Sequence, residues 1–305
     1  MISRDSNNLT KLLGNLDKAP GNYIDDTLFI FDEVHGAGSQ SFVENLPGKL
    51  SPYKYRLGFS ATPEREYDDV GNDFLLNEIG EIIFEFSLED AIKKGILCEF
   101  NYIPLPYTLT EAEKQKKKKI IAAFNAKKEN GEPCDETEMF TQLSLVNKTA
   151  INKIEEFEAL ISKRPELLEK SIIFVQSMEY GKQLQEVLIK YTDKYHTYYA
   201  DDEKINLENF AEGKINCLLT CKKVSEGIDI SSVTNIFLFA SDRSKLVTTQ
   251  RIGRALRLDK NNPDKKANVI DFILDDIGES DNNADQDRKE WLTRLSQTRR
   301  IDDEE

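Results

Sequence analysis

The sequence alternates short, unbroken apolar runs with segments whose apolar residues recur every three or four positions. The short runs fit strands buried on both faces, as in a parallel sheet that is covered by helices. Tyr180, Leu184 and Leu188 illustrate the second pattern, which is typical of a helix with one apolar face. The alternation therefore predicts an α/β protein with parallel sheets flanked by helices. The predicted strands cover residues 28–31, 55–60, 82–86, 100–105, 172–175, 196–199, 217–219, 236–239 and 269–273.

Between residues 108 and 166 the pattern indicates helices only. Thr110 and Glu113 have the spacing of a capping box at the start of a lysine-rich helix. Residues 151–161 carry apolar side chains at helical spacing. We therefore expect four parts: a first α/β domain over 1–107, a helical connector over 108–169, a second α/β domain over 170–275, and an acidic linker with a short terminal helix over 276–305.

Charge and composition narrow the class of protein. A formal net charge of −14 argues against a protein that coats nucleic acid by charge alone. It leaves room for one that grips phosphates with hydroxyls, N–H groups and helix N-termini. No apolar run approaches the length of a membrane span, and no signal-peptide pattern opens the chain. Four cysteines without a CxxC pair, and two histidines, do not suggest a zinc site. We therefore expect a cytoplasmic protein with no membrane partner.

Candidate chemistry is concentrated just after the first predicted strand, where Asp32 and Glu33 follow residues 28–31. Parallel sheets place their chemistry beyond the carboxyl ends of the strands. Asp32 can hold Mg²⁺ through a water shell, because this ion prefers oxygen ligands. Glu33 can orient or deprotonate an attacking water. The same two residues could also form an ordinary acidic turn, so the interpretation depends on the rest of the chain.

Four stretches in a fixed order supply that context. They are Asp32-Glu-Val-His35, Ser60-Ala-Thr62, residues 220–229 and residues 250–257. In order and wording they resemble motifs of the superfamily 2 helicases and translocases. Residues 57–65 most resemble the DNA-directed branch, which includes excision-repair helicases and the motors of restriction and phage-defence systems. The resemblance implies tandem RecA-like domains, with ATP and Mg²⁺ bound between them, and a motor that acts on DNA, expected as duplex.

The resemblance also implies roles for single residues. Gln250, Gly253, Arg254 and Arg257 would share one face of a helix, and the two arginines would be the fingers that neutralise charge on the transferred phosphoryl group. Arg251 points elsewhere and is expected to be a structural ion-pair partner. The remaining assignments are Asp32 and Glu33 as metal-holding and catalytic carboxylates, His35, Gly227 and Asp229 for the nucleotide, and Ser60, Thr62 and Thr220 for coupling to nucleic acid.

The sequence departs from this family in one respect. Its ATPases need a Gly-rich phosphate loop that ends Gly-Lys-Ser/Thr upstream of the acidic box, and residues 1–31 contain none. Gly48-Lys49 follows the acidic box and precedes Leu50, where a hydroxyl is required, so we interpret it as a turn. The first RecA-like domain is therefore expected to be truncated at its N-terminus. An upstream phosphate-loop segment or subunit would then be an expected partner.

Three functional interpretations remain open. The chain could be the C-terminal two-thirds of a DNA helicase or translocase, which the motifs favour. It could instead be a degenerate module that binds DNA or a partner without hydrolysis. A free-standing Mg²⁺ phosphohydrolase would need further ligating carboxylates near Asp32. In neither of the first two cases do we expect this chain alone to hydrolyse ATP, because residues 1–31 contain no Gly-rich loop that could hold the phosphates.

Overall fold

The computed structural model describes residues 6–19, 21, 23–62, 65, 68–221, 232–241, 245–260, 262–275 and 284–301. The chain divides into two compact units, Met1–Ser87 and Leu88–Glu305. Both contain helices and a sheet, and every pairing between the described strands is parallel. The predicted α/β class is therefore confirmed. Within the described ranges, no helix is both long and apolar enough to cross a membrane.

The first unit packs its helices against one face of a two-stranded sheet. Strands β1 and β2 pair in register from Leu28 opposite Tyr55 to Asp32 opposite Phe59. The elements in chain order are α1 Ser6–Leu16, α2 Tyr23–Asp26, β1 Leu28–Asp32, a 3₁₀ turn Val34–Gly38, α3 Gln40–Asn45, β2 Tyr55–Phe59 and α4 Asp69–Glu78.

Strand β1 is buried on one face only, which corrects the prediction of a strand covered on both faces. Phe29 packs into a hydrophobic cluster with residues of α1, α3 and α4. Its neighbours Leu28 and Ile30 are 54% and 61% exposed. Alternate residues of a strand point to opposite faces, so the helices described in this unit cover one side of the sheet.

The strand predicted over residues 82–86 is also absent from the structure. Residues 80–87 have no regular secondary structure. Ile83 and Phe84 are 85% and 78% exposed, although the run is as apolar as a buried strand. Apolar content predicts a strand only where a neighbouring strand is available for pairing, and pairing is a tertiary property.

The second unit is built on a six-stranded parallel sheet in the order β3-β8-β7-β4-β6-β5. Its elements are α5 Leu88–Lys93, β3 Phe100–Tyr107, α6 Glu111–Glu129, α7 Glu136–Lys148, α8 Asn152–Lys163, a 3₁₀ turn Pro165–Leu168, β4 Ser171–Phe174, α9 Met178–Leu188, β5 Tyr195–Tyr198, α10 Lys204–Ala211, β6 Cys217–Thr220, β7 Asn235–Leu238, α11 Lys245–Ala255, β8 Ala267–Leu274 and α12 Ala284–Ser296.

Both faces of this larger sheet are covered. Ile172 and Ile173 are adjacent on β4 and neither is exposed to solvent, yet they belong to two different hydrophobic clusters. Because adjacent strand residues point to opposite faces, the two clusters lie on the two sides of the sheet. The strands predicted in this region are therefore confirmed, although the edge strand β5 is only partly buried.

Strand β3 belongs to the second unit, whereas we predicted it as the last strand of the first domain. It pairs with β8 along its full length, from Phe100 opposite Ala267 to Tyr107 opposite Leu274. The compact first unit ends at Ser87, not at residue 107. Helices α6, α7 and α8 therefore lie within the second unit instead of connecting two domains. An apolar run indicates a strand but does not indicate which sheet receives it.

Helix boundaries agree with the local signals in most places. Thr110 and Glu113 form the predicted capping box, with each side chain bonded to the other residue's backbone N–H. Gly95, at φ +61°, ends α5 as expected for a left-handed helix terminus. The predicted terminal helix is present as α12, and residues 276–283 of the predicted acidic linker lie outside the described residues.

Candidate functional site

The acidic stretch turns sharply at the end of β1. Asp32 is the last residue of the strand, and Glu33 adopts a left-handed conformation with φ 53° and ψ 54°. This conformation costs a residue with a side chain about 1–3 kcal/mol and is concentrated at functional sites. The Glu33 carbonyl accepts a hydrogen bond from Gly36 N at 2.9 Å, which holds the turn. The strained backbone thus directs the carboxylate of a predicted catalytic residue.

Parallel pairing brings Ser60 to the same edge of the sheet. Asp32 lies opposite Phe59, so the residues after both strands meet. A hydrogen bond of 3.0 Å joins His35 Nδ1 to Ser60 Oγ, and the same nitrogen lies 3.4 Å from Glu33 Oε2. The structure therefore brings together three predicted site residues, namely a carboxylate, an imidazole and a hydroxyl.

The Ser60 hydroxyl also closes its own turn. It donates to Thr62 O at 2.8 Å and accepts from Thr62 N at 3.1 Å. If the Ser60 hydroxyl donates its one proton to Thr62 O, His35 Nδ1 is the donor in its bond to Ser60. Ser60 thus contacts the acidic stretch through the imidazole of His35. The Thr62 hydroxyl is buried and has no hydrogen-bond partner within the described structure.

Asp32 fits a magnesium ion that is shared with a phosphate. Its side chain is exposed beyond the strand and offers hard oxygen ligands. Mg²⁺ is usually held by one or two carboxylates together with substrate phosphates and water. In the part of the chain that the structure describes, no three His, Cys, Asp or Glu side chains form a metal-binding group. Asp32 could therefore hold such an ion through its one carboxylate.

The arginine segment lies in the second unit. Helix α11 carries Gln250 and Arg254, but it ends at Ala255. Arg257 follows the helix, pairs with Leu97 in an isolated antiparallel bridge, and accepts a hydrogen bond from a lysine ammonium through its carbonyl. The prediction that both arginines lie on one helical face is therefore wrong for Arg257.

The two arginines still lie close enough to interact electrostatically. Burial lowers the pKa of Arg254, and the positive charge of Arg257 lowers that pKa further. Guanidinium groups stay charged at all ordinary pH values and can each bind two oxygens of one phosphate. Two neighbouring guanidinium groups, one of them half-buried, favour a polyanionic ligand over a single carboxylate.

Arg251 has a structural position, and the contacts that define it are with an aromatic ring and a backbone carbonyl. Its guanidinium lies over the ring of Phe174, at 4.9 Å from the centroid, and donates to Ala240 O. These contacts fasten α11 to β4 and to the segment that follows β7. The Arg251 side chain is therefore used in packing, whereas no such role was assigned to Arg254, one turn away on the same helix.

Thr220 does not have the predicted role. Its side chain is completely buried, and its hydroxyl donates to Tyr198 O at 2.7 Å. The hydroxyl cannot contact a nucleic-acid backbone from that position. Strand β6 runs one residue further than predicted and carries Thr220 into the core. The assignments of Gly227 and Asp229 lie outside the described residues.

One contact was not foreseen from the sequence. Arg65 ends the stretch 57–65 whose wording carried the resemblance, and its Nη1 donates to His35 O at 2.6 Å. An arginine three residues beyond Thr62 was the available signal, but spacing alone could not show what it contacts.

Two family profiles match the chain. The profile "Type III restriction enzyme, res subunit" matches residues 5–65, and "Helicase conserved C-terminal domain" matches residues 152–259. The first match contains the site around Glu33, His35 and Ser60. The second contains Gln250, Arg254 and Arg257.

Two curated proteins align with most of the chain. "Putative helicase 22" of Sulfolobus islandicus filamentous virus is 26% identical over 253 residues, which are 81% of this chain and 42% of that protein. The general transcription and DNA repair factor IIH helicase/translocase subunit XPB of Enterocytozoon bieneusi is 27% identical over 258 residues, 83% of this chain and 38% of that protein. This chain thus spans less than half the length of these relatives.

The fold is similar to that of solved helicase structures. S. cerevisiae Dbp5 bound to RNA and ADP BeF3 superposes with a TM-score of 0.52 at 16% identity, over 96% of this chain and 62% of that chain. At this identity the likeness concerns the fold alone, and it agrees with the parallel sheets described above.

Proposed function

This chain belongs to the superfamily 2 helicases, and we propose that it supplies the catalytic carboxylates and arginine fingers of an ATP-dependent DNA helicase or translocase. The observation that supports this most directly is the meeting of Glu33, His35 and Ser60 at the carboxyl ends of two parallel strands. Ligands of parallel α/β proteins bind at that edge.

In this proposal the carboxylates act on a nucleotide. Asp32 would hold Mg²⁺, which neutralises phosphate charge when bound. Glu33 would orient and deprotonate the attacking water, and its left-handed backbone fixes where its carboxylate can reach. His35 would keep Glu33 and Ser60 in one network. ATP and Mg²⁺ are therefore the proposed cofactors.

The arginines would act on the transferred phosphoryl group. Arg254 and Arg257 carry neighbouring positive charges, and Gln250 precedes Arg254 by one turn of α11. Such groups stabilise the charge that develops on a phosphate in the transition state. We include a phosphate-loop segment, upstream in the same protein or on a partner subunit, because residues 1–31 contain no such loop.

DNA is the proposed track. The XPB relative is named as a helicase/translocase subunit of a DNA repair factor, and residues 57–65 have the wording of the DNA-directed branch. A degenerate module that binds DNA or a partner without hydrolysis is the alternative. The two functions differ in turnover, not in fold.

Turnover in the presence of a phosphate loop tests the proposal. The chain would be joined to the segment encoded directly upstream of it or, failing that, to the N-terminal part of a relative. ATP hydrolysis with Mg²⁺ would be measured without nucleic acid and with duplex DNA, single-stranded DNA or RNA. We expect stimulation by DNA, and Glu33→Gln should lower kcat by about 10²–10⁴, as removal of a general base does.

Glu44→Gln is the matched control, since Glu44 is exposed on α3 and accepts a hydrogen bond from Gln40 of the same helix. Its hydrolysis rate should equal that of the unmodified protein. If the joined protein folds and binds DNA but does not hydrolyse ATP, the result would favour the degenerate module. Stimulation by RNA and not by DNA would refute the proposed track.

A further inference from the structure

The 3₁₀ turn Val34–Gly38 and helix α4 approach each other closely enough to leave only a narrow groove. A Cβ atom on Gly38 would lie 3.0 Å from Gly71 O, and one on Gly71 would lie 2.6 Å from Gly38 O. The second distance is shorter than real Cβ contacts, and the first is tighter than nearly all of them. Two glycines are therefore required where these elements meet.

The side chain of Arg65 occupies this groove. A Cβ on Gly38 would lie 2.5 Å from Arg65 Cδ, and a Cβ on Gly71 would lie 2.7 Å from Arg65 Nε. The two glycines thus make room for one arginine as well as for each other. An arginine that served only to balance charge at the surface would not need to lie in this groove.

The contacts of Arg65 join three segments of the first unit. Its Nη1 donates to His35 O at 2.6 Å, and its Nε pairs with Asp68 Oδ2 at 2.7 Å. Its backbone is held by Asn72, which accepts from Arg65 N at 2.8 Å and donates to Arg65 O at 2.9 Å. Arg65 therefore connects the turn after β1 with the start of α4, and it follows the Ser60 loop by a few residues.

We propose that Arg65 is a positioning residue, which holds His35 from its backbone side so that the imidazole bonds Ser60 and faces Glu33. The carbonyl of His35 is fixed by the guanidinium, while the ring of the same residue reaches Ser60 at 3.0 Å. The catalytic meaning of this arrangement rests on the proposed function, but the arrangement itself can be tested without turnover.

A purely structural role for Arg65 makes a different prediction. Asp68 already caps α4 by accepting from Gly71 N at 2.8 Å, and the Arg65–Asp68 pair would only support that cap. A lysine ammonium can replace one such contact, but it cannot hold Asp68 and the His35 carbonyl from two separate nitrogens. Arg65→Lys therefore separates positioning from charge pairing.

The ring nitrogens of histidine provide the readout. The chain has two histidines, so imidazole ¹⁵N spectra of the whole chain contain signals from His35 and His196 only. His196 lies exposed on β5 in the other unit and serves as an internal reference. The variants are Arg65→Lys, Gly38→Ala, which should displace the guanidinium, and the control Arg164→Lys, which alters an exposed pair in the second unit.

We expect Arg65→Lys and Gly38→Ala both to shift the Nδ1 signal of His35, because its bond to Ser60 is weakened, and to leave His196 unchanged. Arg164→Lys should shift neither signal. In the motor that carries a phosphate loop, Arg65→Lys should lower kcat about tenfold with an unchanged KM for ATP, which corresponds to the loss of one charge-assisted hydrogen bond.

A wild-type His35 signal in folded Arg65→Lys would overturn the proposal and leave Arg65 with helix capping alone. If Arg65→Lys does not fold, the Gly38→Ala spectrum decides in the same way. A shifted His35 signal together with a motor that does not hydrolyse ATP would retain the positioning role and refute the proposed function instead.

Discussion

His35 Nδ1 and Ser60 Oγ are 3.0 Å apart, and this hydrogen bond connects the turn after β1 with the loop after β2. Two strands that are adjacent in the sheet but 23 residues apart, from Asp32 to Tyr55, are thereby linked at their functional ends. We predict that Ser60→Ala lowers DNA-stimulated kcat in the phosphate-loop-containing protein about fivefold, because one neutral hydrogen bond is worth ~1 kcal/mol. Steady-state ATPase measurements at saturating DNA test this.

Ser39→Ala is the matched control for that measurement. Ser39 lies in the same unit, directly before α3, and its hydroxyl makes no capping hydrogen bond. Its kcat should stay at the level of the unmodified protein. Equal losses in both variants would show that the effect comes from general destabilisation and not from the contact with His35.

Arg254 should act in the transition state. The proposed function requires it to contact a phosphoryl group whose negative charge grows during transfer, so its contribution is larger in the transition state than in the ground state. We predict that Arg254→Ala lowers kcat about 10³-fold while nucleotide affinity changes little. Arg254→Lys should not restore the rate, because an ammonium cannot bind two oxygens at once.

Arg251 is the comparison residue for Arg254, one turn away on α11. Since its guanidinium packs on Phe174 and bonds Ala240 O, Arg251→Ala should lower the melting temperature and leave the rate per folded molecule nearly unchanged. Normal turnover in Arg254→Ala or Arg254→Lys would contradict the finger assignment.

DNA binding by this chain should be weak and strongly dependent on salt. A protein with a net charge of −14 can bind phosphates only through a few local contacts. With about three contacts, affinity should fall about 40-fold between 50 and 200 mM salt. A fluorescence anisotropy titration at several salt concentrations measures the slope. Lys118→Gln, on an exposed part of α6, should leave it unchanged, whereas tight binding that salt does not weaken would refute this prediction.

Local signals predicted most elements, because each depends on neighbouring residues. The capping box at Thr110 needs only Glu113, three residues away. Strands β4, β6 and β7 consist mainly of apolar residues, and their burial on both faces follows from that composition. The contact between His35 and Ser60 could also be predicted from the sequence, since parallel strands end at the same edge of a sheet.

The failures concern contacts between distant segments. The apolar run at residues 82–86 gains no strand partner within the described structure, whereas Phe100–Tyr107 pairs with a strand about 170 residues later. Helix α11 stops before Arg257 where Cys98 N donates to Leu256 O, a contact that helical periodicity cannot show. Thr220 was assigned by motif position, but burial decides what its hydroxyl can reach.

Helix α12 is fastened to the sheet by a buried ion pair. Arg288 Nε lies 2.8 Å from Asp271 Oδ2, and Tyr102 and Ser241 also donate to that carboxylate. We predict that Arg288→Met lowers the free energy of unfolding of the second unit by about 3–5 kcal/mol, because it leaves a buried carboxylate without its cation. Urea unfolding measures this. Arg299→Met, which removes an exposed pair, should cost less than about 1 kcal/mol, and equal costs would contradict the prediction.

Lys153 should make stability depend on pH. Its ammonium is buried, donates to Phe239 O at 2.9 Å and lies 4.6 Å from the centre of the Tyr107 ring. Burial lowers the pKa of Lys153 from 10.5 to about 8, although the charge of Asp285 works to raise it. Between these two pKa values the unfolded chain binds more protons than the folded chain, so the free energy of unfolding rises with pH.

We predict that the stability of the unmodified protein, relative to Lys153→Met, rises by up to about 3 kcal/mol between pH 8 and 10.5, since each pKa unit corresponds to ~1.4 kcal/mol. Below pH 8 the lysine is protonated in both states, so the difference should be constant. Urea unfolding of the second unit across this range measures the difference, which removes titrations common to both proteins. A flat difference for Lys153→Met would show that the buried ammonium does not titrate in this window.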